Sequence, residues 1–263
     1  MSYGQTNQHS SAAKHLTIIH TCGITMGMYN MTSDLNLPSF EYIIEQAKQG
    51  VDSLLVVSGG LDSAYIMWKY AQVVTDRPIY LHHIDFYPSH HTRAYAERVA
   101  LNYQIEYLQR DFKLFNSEVG TSENISLMSD WVLAAMMSVN IAQKYNSSYI
   151  VVGDDLPDSY HRGLSFSKIN KHKEQMYRLT GELIRVMASG NVDLCTALDT
   201  SDLSDAYNEM PSEYIKFTMS CRSPIITGHS IRTCSACHSC HKNQDFGWWD
   251  RLDHDMPKPS VDT

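Results

Sequence analysis

The sequence lacks any apolar run approaching the length of about 18 residues that a transmembrane helix requires, so no membrane span is predicted. Its first residues, MSYGQTNQHSSAAKH, lack the apolar stretch of a secretory signal; we expect a disordered lead-in there and a cytoplasmic location. There is no internal repeat and no low-complexity segment. With 263 residues, 43% of them hydrophobic, the chain fits one large α/β domain or one domain plus a small appendage.

The chain has fewer basic than acidic side chains. Lysine and arginine number 21 against 29 aspartates and glutamates, which gives a formal net charge of −8. An acidic chain lacks the general basic surface that binds nucleic-acid phosphates, so a nucleic-acid partner is not expected. The one basic stretch, at residues 161–173, fits a local ligand patch and a solvated loop with a helix start equally well.

The chain has six cysteines, and four of them are concentrated near the C-terminus as Cys221-x12-Cys234-x2-Cys237-x2-Cys240. In a reduced protein, clustered cysteines indicate metal ligands rather than disulfides. Four thiolates close a tetrahedral zinc site, which would pin the C-terminal loops to the core. The alternative is an iron–sulfur cluster, since C-x2-C-x2-C is also found in ferredoxins, although the further Cys and Pro of those runs do not follow Cys240.

The chain also lacks the lysine of a Walker loop, yet it carries a different glycine-rich turn, Ser58-Gly59-Gly60-Leu61-Asp62-Ser63. We call residues 58–63 the glycine loop. It follows an apolar strand and opens an amphipathic helix, so its backbone N–H groups and the helix N-terminus suit polyphosphate. Gly59 and Gly60 allow close approach and positive φ, Ser58 and Ser63 add hydroxyl donors, and Asp62 can hold Mg²⁺.

Strand and helix patterns alternate along the chain and predict a doubly wound parallel sheet. The predicted strands cover residues 16–20, 53–57, 79–84, 104–108 and 148–152. The predicted helices cover residues 39–49, 62–74, 92–102, 126–145 and 171–188, with short polar helices beyond residue 190. We therefore expect an N-terminal extension at 1–50, a sheet domain with the glycine loop as its nucleotide-binding turn at 51–190, and C-terminal helices with the cysteine segment at 191–263.

Three turns fall at the carboxyl ends of predicted strands, where ligands bind in such sheets. They are residues 58–63, 85–87 and 153–162, and their coincidence predicts one shared active site. Asp154 and Asp155 fit either a second Mg²⁺ or acceptor contact or a hydrophilic turn. His82 and His83 lie within a predicted strand, so at least one is expected to be a packed core residue.

The glycine loop resembles the pyrophosphate loop of the ATP pyrophosphatase (PP-loop) superfamily. Together with Ser220-Cys221 and the C-x2-C-x2-C run, it is similar to the 7-cyano-7-deazaguanine synthase family over roughly residues 51–245. The resemblance implies ATP, Mg²⁺ and one structural Zn²⁺ as cofactors. It also implies that a deazaguanine carboxylate is adenylated with release of pyrophosphate, and that ammonia converts it to an amide and then a nitrile.

The resemblance further implies which residues bind the nucleotide. The backbone of Ser58, Gly59 and Gly60 would bind pyrophosphate, and the Ser63 hydroxyl a phosphate. Asp62 would bind Mg²⁺, and Asp62 and Ser63 are the predicted catalytic residues. The remaining predicted contacts are Asp85 to the nucleoside, and Leu61 and Gly153 to the cofactor.

The acceptor side departs from that family. Asp130-Trp131 stands where the family carries Arg-Asn, and residues 158–162 only echo its Tyr-Pro-Asp-Cys-Arg segment. We expect 7-carboxy-7-deazaguanine or a related base as acceptor, and a homodimer as a possible assembly. The alternatives are an adenylating nucleic-acid modification enzyme such as a tRNA thiolase, and an ATP-binding, non-catalytic partner subunit.

Overall fold

The computed structural model describes residues 37–87, 91–120, 130–155, 166–198, 208–245, 250 and 255–257. The predicted strand at residues 16–20 and residues 156–162 of the third predicted turn lie outside these ranges.

A five-stranded sheet forms the centre of the described structure. Its strands are β1 (Ser53–Val57), β2 (Ile79–Tyr87), β3 (Phe112–Gly120), β4 (Tyr149–Asp155) and β5 (Asp193–Leu198). All neighbouring strands are parallel, in the order β3-β2-β1-β4-β5. The order reverses between β1 and β4, so the fold is a doubly wound α/β sheet with its topological switch point there.

Helices cover both faces of the sheet. They are α1 (Phe40–Lys48), α2 (Leu61–Val73), α3 (His91–Leu108), α4 (Asp130–Lys144) and α5 (Phe166–Met187). Because side chains alternate along a strand, Leu55 and Val57 of β1 pack with α1 and α2, whereas Leu54 packs with α4 and α5. The central strand is therefore apolar on both sides, as the run Ser53–Val57 predicts.

The predicted third strand is wrong. Residues 104–108 continue α3 to Leu108, because Leu101, Ile105 and Leu108 recur at helical spacing and pack on the same core cluster. The helix ends at Leu108, and the next residue, Gln109, has a left-handed φ of 48°. The third strand then follows as β3.

The sheet continues past the boundary predicted at residue 190. β5 pairs with β4 where short polar helices were predicted, and its Leu194 and Cys195 are buried on opposite faces. A strand of six residues between polar segments gives little periodic signal. At the other predicted boundary, α1 contacts α2 and β5, so the helix of the predicted N-terminal extension packs against the sheet domain.

The C-terminal region contributes short elements that pack on α3. They are α6 (Ser212–Ile215), β6 (Ile225–Ile226), β7 (Ser230–Arg232), α7 (His238–Asp245) and β8 (Asp255–Pro257). β6, β7 and β8 form a small antiparallel sheet. Ile231 and Met256 from this sheet share a core cluster with Ala96 and Ala100 of α3. No described helix is both long enough and apolar enough to cross a membrane.

Candidate functional site

The glycine loop lies at the switch point, between the end of β1 and the start of α2. Gly59 has a φ of 76°, and a Cβ there would lie 2.3 Å from the carbonyl oxygen of Glu97. Both facts exclude larger residues, since the left-handed backbone is strained for them and the space is filled by α3. The glycine at this position is therefore needed to fit the loop against α3.

Internal hydrogen bonds fix the shape of the loop. The Ser63 hydroxyl donates to Gly60 O at 3.1 Å and accepts from the Ser58 N–H at 3.2 Å. The carbonyl oxygen of Gly59 accepts from Gln104 Nε2 at 2.8 Å and from the Met219 N–H at 2.9 Å. The loop is consequently held in one conformation from within and by two distant segments.

The N-terminus of α2 is capped from far along the chain. Gly60 is the N-cap residue and has no side chain to cap with, and the N–H of Leu61 donates to Ser220 Oγ at 3.1 Å. Ser220 directly precedes Cys221 of the cysteine group. The Ser-Cys pair therefore links the cysteine segment to the first turn of α2, where the positive end of the helix dipole lies.

Gly153 of β4 faces the same turn across the switch point. A Cβ at Gly153 would lie 3.1 Å from the Cβ of Asp62 and 3.1 Å from the Cδ1 of Ile66. Gly153 therefore allows α2 to approach β4 closely. Gly153 also lies on the wall of the cavity described next.

A cavity of about 330 Å³ opens beside the loop. Three groups of residues line it: the loop, the ends of β1, β2 and β4, and charged residues of α3, α4 and the C-terminal segment. The polar lining consists of Ser58, Asp62, Ser63, Arg93, Glu97, Asp130 and Arg222; Gly153, Phe86 and Trp131 are also on the wall. Ser58, Asp62 and Ser63 of the loop thus face a space in the range that small-molecule sites occupy, whereas Gly59, Gly60 and Leu61 are not among the lining residues.

Asp85 does not line this cavity. Its carboxylate is 2% exposed, accepts from His83 Nε2 at 3.1 Å through Oδ1, and pairs with Arg98 through Oδ2. Burial acts to raise the pKa of Asp85, but the hydrogen bond and charge of His83 and the charge of Arg98 outweigh it, so the pKa is lowered. Because side chains alternate along β2, Ile84 and Phe86 line the cavity instead. The predicted contact of the Asp85 side chain with a nucleoside finds no support in this geometry.

His83 lies beneath the loop with an acceptor at each ring nitrogen. Nδ1 is 2.9 Å from the carbonyl oxygen of Val57, and Nε2 is 3.1 Å from Asp85 Oδ1. Both partners are oxygen acceptors, so His83 ties the end of β1 to the Asp85 carboxylate.

His82 points to the opposite face and is neutral. Its Nε2 lies 2.8 Å from Ser117 Oγ and its Nδ1 2.7 Å from Ser138 Oγ, and the Ser138 hydroxyl donates to Ala134 O. Nδ1 therefore carries the proton, and Nε2 accepts from Ser117. Burial, together with the neighbouring His83, lowers the pKa of His82 to about 4. Both histidines are thus buried core residues, as predicted for at least one of them.

Two arginines meet on one carboxylate at the cavity wall. Arg93 Nη1 is 3.0 Å and Arg222 Nη1 is 3.3 Å from the same oxygen, Oδ2 of Asp130. Arg93 also donates through Nε to Glu97 at 2.8 Å. The sequence analysis missed Arg93, Glu97 and Arg222; the Arg-x3-Glu spacing in α3 signals a helical pair but not that it faces a cavity.

The four predicted cysteine ligands do come together. The Sγ atoms of Cys221, Cys234, Cys237 and Cys240 all lie within 4.8 Å of one another. Individual separations are 3.5 Å for Cys237–Cys240, 3.9 Å for Cys234–Cys240 and 4.0 Å for Cys221–Cys237. We call this group the cysteine centre; its donor set and geometry suit a tetrahedral thiophilic metal ion.

Backbone N–H groups surround the sulfurs and stabilise thiolates. The N–H of Cys234 donates to Cys221 Sγ at 3.2 Å, that of Cys237 to Cys234 Sγ at 3.2 Å, and that of Arg222 to Cys237 Sγ at 3.3 Å. Hydrogen bonds from Cys240 and from the backbone lower the pKa of Cys221 to about 5, whereas hydrogen bonding with Cys221 and burial raise the pKa of Cys240. Cys221 is therefore the sulfur whose surroundings favour the thiolate, the form of cysteine that binds metal ions.

No protein-family model matches the chain, and no curated protein matches its sequence. Among solved structures, the chain is similar to the U34-tRNA thiolase NcsA from Methanococcus maripaludis, determined with its [4Fe-4S] cluster. The two are 13% identical, the match covers 66% of this chain and 68% of that one, and the TM-score is 0.40. A likeness of this degree carries no information on substrate.

Proposed function

We propose that this protein is an ATP-dependent enzyme of the PP-loop superfamily that adenylates a carboxylate and releases pyrophosphate. The glycine loop carries the proposal: it lies at the topological switch point, at the N-terminus of α2, and it opens on a cavity. Glycine-rich turns before a helix bind phosphate groups with help from the helix dipole. The N–H groups of Ser58, Gly60 and Leu61 bond to serine hydroxyls within the protein, so the dipole of α2 and the residues Ser58 and Ser63 at the cavity are what this loop offers to phosphate.

The roles within the loop follow from its contacts. The carboxylate of Asp62 lines the cavity in the first turn of α2 and is the candidate ligand for the Mg²⁺ that accompanies pyrophosphate. Ser63 is engaged with Gly60 and Ser58 inside the loop, so its first role is to hold the loop in shape. Ser63 reaches the cavity as well, which keeps the predicted phosphate contact available.

The chemistry requires an acceptor carboxylate, for which we propose 7-carboxy-7-deazaguanine or a related base. A carboxylate oxygen attacks the α-phosphorus of ATP, the bond to the β-phosphate oxygen breaks, and pyrophosphate leaves with Mg²⁺. Ammonia then attacks the acyl carbon and AMP departs, giving the amide. A second ATP activates the amide oxygen, and loss of AMP and a proton gives the nitrile.

The cysteine centre is proposed to hold one structural Zn²⁺. Tetrahedral ligands at a Zn–S distance of about 2.3 Å are separated by about 3.8 Å. Three of the sulfur separations are 3.5–4.0 Å and fit this value, and all the sulfurs lie within 4.8 Å of one another. In a [4Fe-4S] cluster each thiolate binds a different iron, so the sulfurs lie further apart than around one ion. A closed set of four thiolates leaves no position for water, which makes the role structural.

The test is nucleotide turnover. The purified protein is incubated with α-³²P-ATP, Mg²⁺ and ammonium, with and without 7-carboxy-7-deazaguanine, and AMP and pyrophosphate are followed. Asp62→Ala is compared with Asp76→Ala, which removes an exposed carboxylate far from the cavity lining. We expect AMP that depends on the deazaguanine, persists in Asp76→Ala and falls at least about a hundredfold in Asp62→Ala, since metal-ion catalysis supplies several kcal/mol.

Other outcomes identify the alternatives. AMP that forms only when tRNA is added would establish the nucleic-acid modification enzyme. ATP binding without AMP formation with any acceptor would establish the non-catalytic partner subunit. An Asp62→Ala variant with full activity would contradict the assignment of Mg²⁺ to Asp62.

A further inference from the structure

We infer that Arg93 and Arg222 form the subsite for the carboxylate of a planar aromatic acceptor, and that Asp130 occupies this subsite until the acceptor binds. The inference deepens the proposed function and rests on it. Its basis is the meeting of two guanidinium groups on one carboxylate oxygen at the wall of the same cavity that contains the glycine loop.

The first guanidinium is fixed. The side chain of Arg93 is 14% exposed, and that of Glu97, one helical turn further along α3, is 9% exposed. Their bond from Nε to Oε1 uses one edge of the guanidinium and leaves the Nη groups directed elsewhere. Burial raises the pKa of Glu97 against the opposing charge of Arg93. The hydrogen bond between these two largely buried side chains holds the Arg93 guanidinium in place.

The second guanidinium, that of Arg222, can move, whereas the backbone of this residue is held in place. The side chain of Arg222 is 57% exposed, whereas its N–H is tied to Cys237 Sγ and its predecessor is a ligand of the cysteine centre. The cysteine centre therefore fixes the backbone position from which the Arg222 side chain reaches the cavity. A fixed and an adjustable arginine together suit a ligand that enters and leaves.

Asp130 has the properties of an internal substitute for a ligand. It is the first residue of α4, its side chain is 47% exposed, and it pairs with both of these arginines. A carboxylate arriving from the cavity offers the same acceptor geometry and a second oxygen, so both arginines keep their charge partner during the exchange. Such an exchange avoids the large cost of leaving a buried charge unpaired.

The walls beside the arginines are aromatic. Phe86 and Trp131 line the cavity, and the Trp131 ring is held against Tyr177 with centroids 4.7 Å apart. Flat apolar walls next to a charged end fit a planar ring that carries a carboxylate. The loop residues Ser58 and Asp62 line the same space, so an acid bound here shares the cavity with the phosphates of the proposed ATP site.

The experiment compares acids with their neutral amides. Binding of 7-carboxy-7-deazaguanine and of indole-3-carboxylate, each against its primary amide, is measured by calorimetry and ligand-observed NMR, and ATP binding is measured beside them. The variants are Arg222→Gln and Asp130→Asn, with Arg232→Gln as matched control, because Arg232 is an exposed arginine of the same region paired with Asp255. Thermal unfolding confirms that all variants fold.

We expect at least one acid to bind at least tenfold more tightly than its amide. Arg222→Gln should weaken that acid about tenfold without changing the amide or ATP, and Arg232→Gln should change nothing. Asp130→Asn should strengthen the acid severalfold, because the competing internal charge is gone.

The result that overturns the inference is equally defined. Unchanged acid binding in Arg222→Gln, or weaker acid binding in Asp130→Asn, would show that the arginines do not receive the acid. Weaker ATP binding in Arg222→Gln would show that Arg93 and Arg222 bind the α-phosphate of ATP and not the acceptor. If ATP binds and neither acid does, this subsite is wrong and the ATP function stands; if an acid binds as expected and ATP does not, the proposed function fails and the subsite stands.

Discussion

The side-chain oxygen of Ser220 accepts a hydrogen bond from the backbone N–H of Leu61 at 3.1 Å, across 159 positions of the chain. On either side of Ser220, Met219 donates to the carbonyl oxygen of Gly59 and Cys221 belongs to the cysteine centre. Three consecutive residues thus connect a candidate metal site with the candidate phosphate loop. The cysteine centre is therefore placed to support the loop and not merely the C-terminal region.

Removal of the Ser220 hydroxyl, which caps α2 from a distant segment of the chain, should destabilise the protein. Ser220→Ala leaves the Leu61 N–H without its acceptor, and loss of a helix N-cap costs about 1 kcal/mol. We expect the free energy of unfolding, measured in urea, to fall by about that amount. Ser212→Ala, at an exposed serine, is the matched control. Equal stability of the two variants would mean that the Ser220 contact contributes nothing.

Loss of the metal should weaken nucleotide binding. Cys234→Ser removes one ligand of the cysteine centre, whereas Cys195→Ala removes a buried thiol of the sheet outside it. We expect one Zn²⁺ per chain in the wild type and in Cys195→Ala and a large loss in Cys234→Ser, measured by elemental analysis. ATP affinity should be at least about tenfold lower in the metal-free variant than in the wild type, because metal binding contributes folding energy to residues 219–221. Unchanged ATP affinity in metal-free protein would disprove the coupling.

Local patterns predicted the parts of the molecule that depend on neighbours in sequence. The strand predicted at residues 53–57 is observed as Ser53–Val57, because a short apolar run before a glycine turn has few other conformations. The cysteine spacing likewise places four sulfurs together. Residues 104–108 were misassigned because a short segment with Ile105 and Leu108 fits a strand or the end of a helix equally well.

The charged wall of the cavity could not be predicted, because its partners are distant in the chain. Asp130 meets Arg93 across 37 positions and Arg222 across 92. No periodicity within one element indicates which charges of α3, α4 and the C-terminal segment will face each other. The burial of Asp85 could not be predicted either, because its partner Arg98 lies on a different element, the helix that follows β2.

The close approach at Gly59 can be separated from its backbone conformation. Gly59 and Gly50 both have positive φ, 76° and 91°, but a Cβ at Gly50 would meet nothing within 4 Å. Gly50→Ala should cost about 1–2 kcal/mol of stability from the left-handed backbone alone. Gly59→Ala should cost more, because the Glu97 carbonyl must also move, and it should abolish ATP binding. Equal losses of stability in the two variants, measured by urea unfolding, would show that α3 yields without cost.

His82 of β2 gives a pH dependence whose sign follows from its burial. The folded-state pKa of His82 is lowered from 6.5 to about 4 by burial, so the unfolded chain binds the proton more readily and stability is lost as pH falls from about 6.5 to about 4. The difference corresponds to at most about 3 kcal/mol at 1.36 kcal/mol per pKa unit. The Asp85 contribution is separate: its pKa is lowered below 3.8, so its stabilisation is lost only under more acidic conditions.

The measurement is urea unfolding at several pH values between 7 and 4. His82→Gln keeps a donor and an acceptor for Ser138 and Ser117 but cannot be protonated, so its stability should vary less with pH than that of the wild type. His229→Gln, at an exposed histidine, should behave as the wild type. If His82→Gln retains the full loss of stability between pH 6.5 and 4, the titrating group lies elsewhere, and the neutral, Nδ1-protonated His82 inferred from its two serine contacts is wrong.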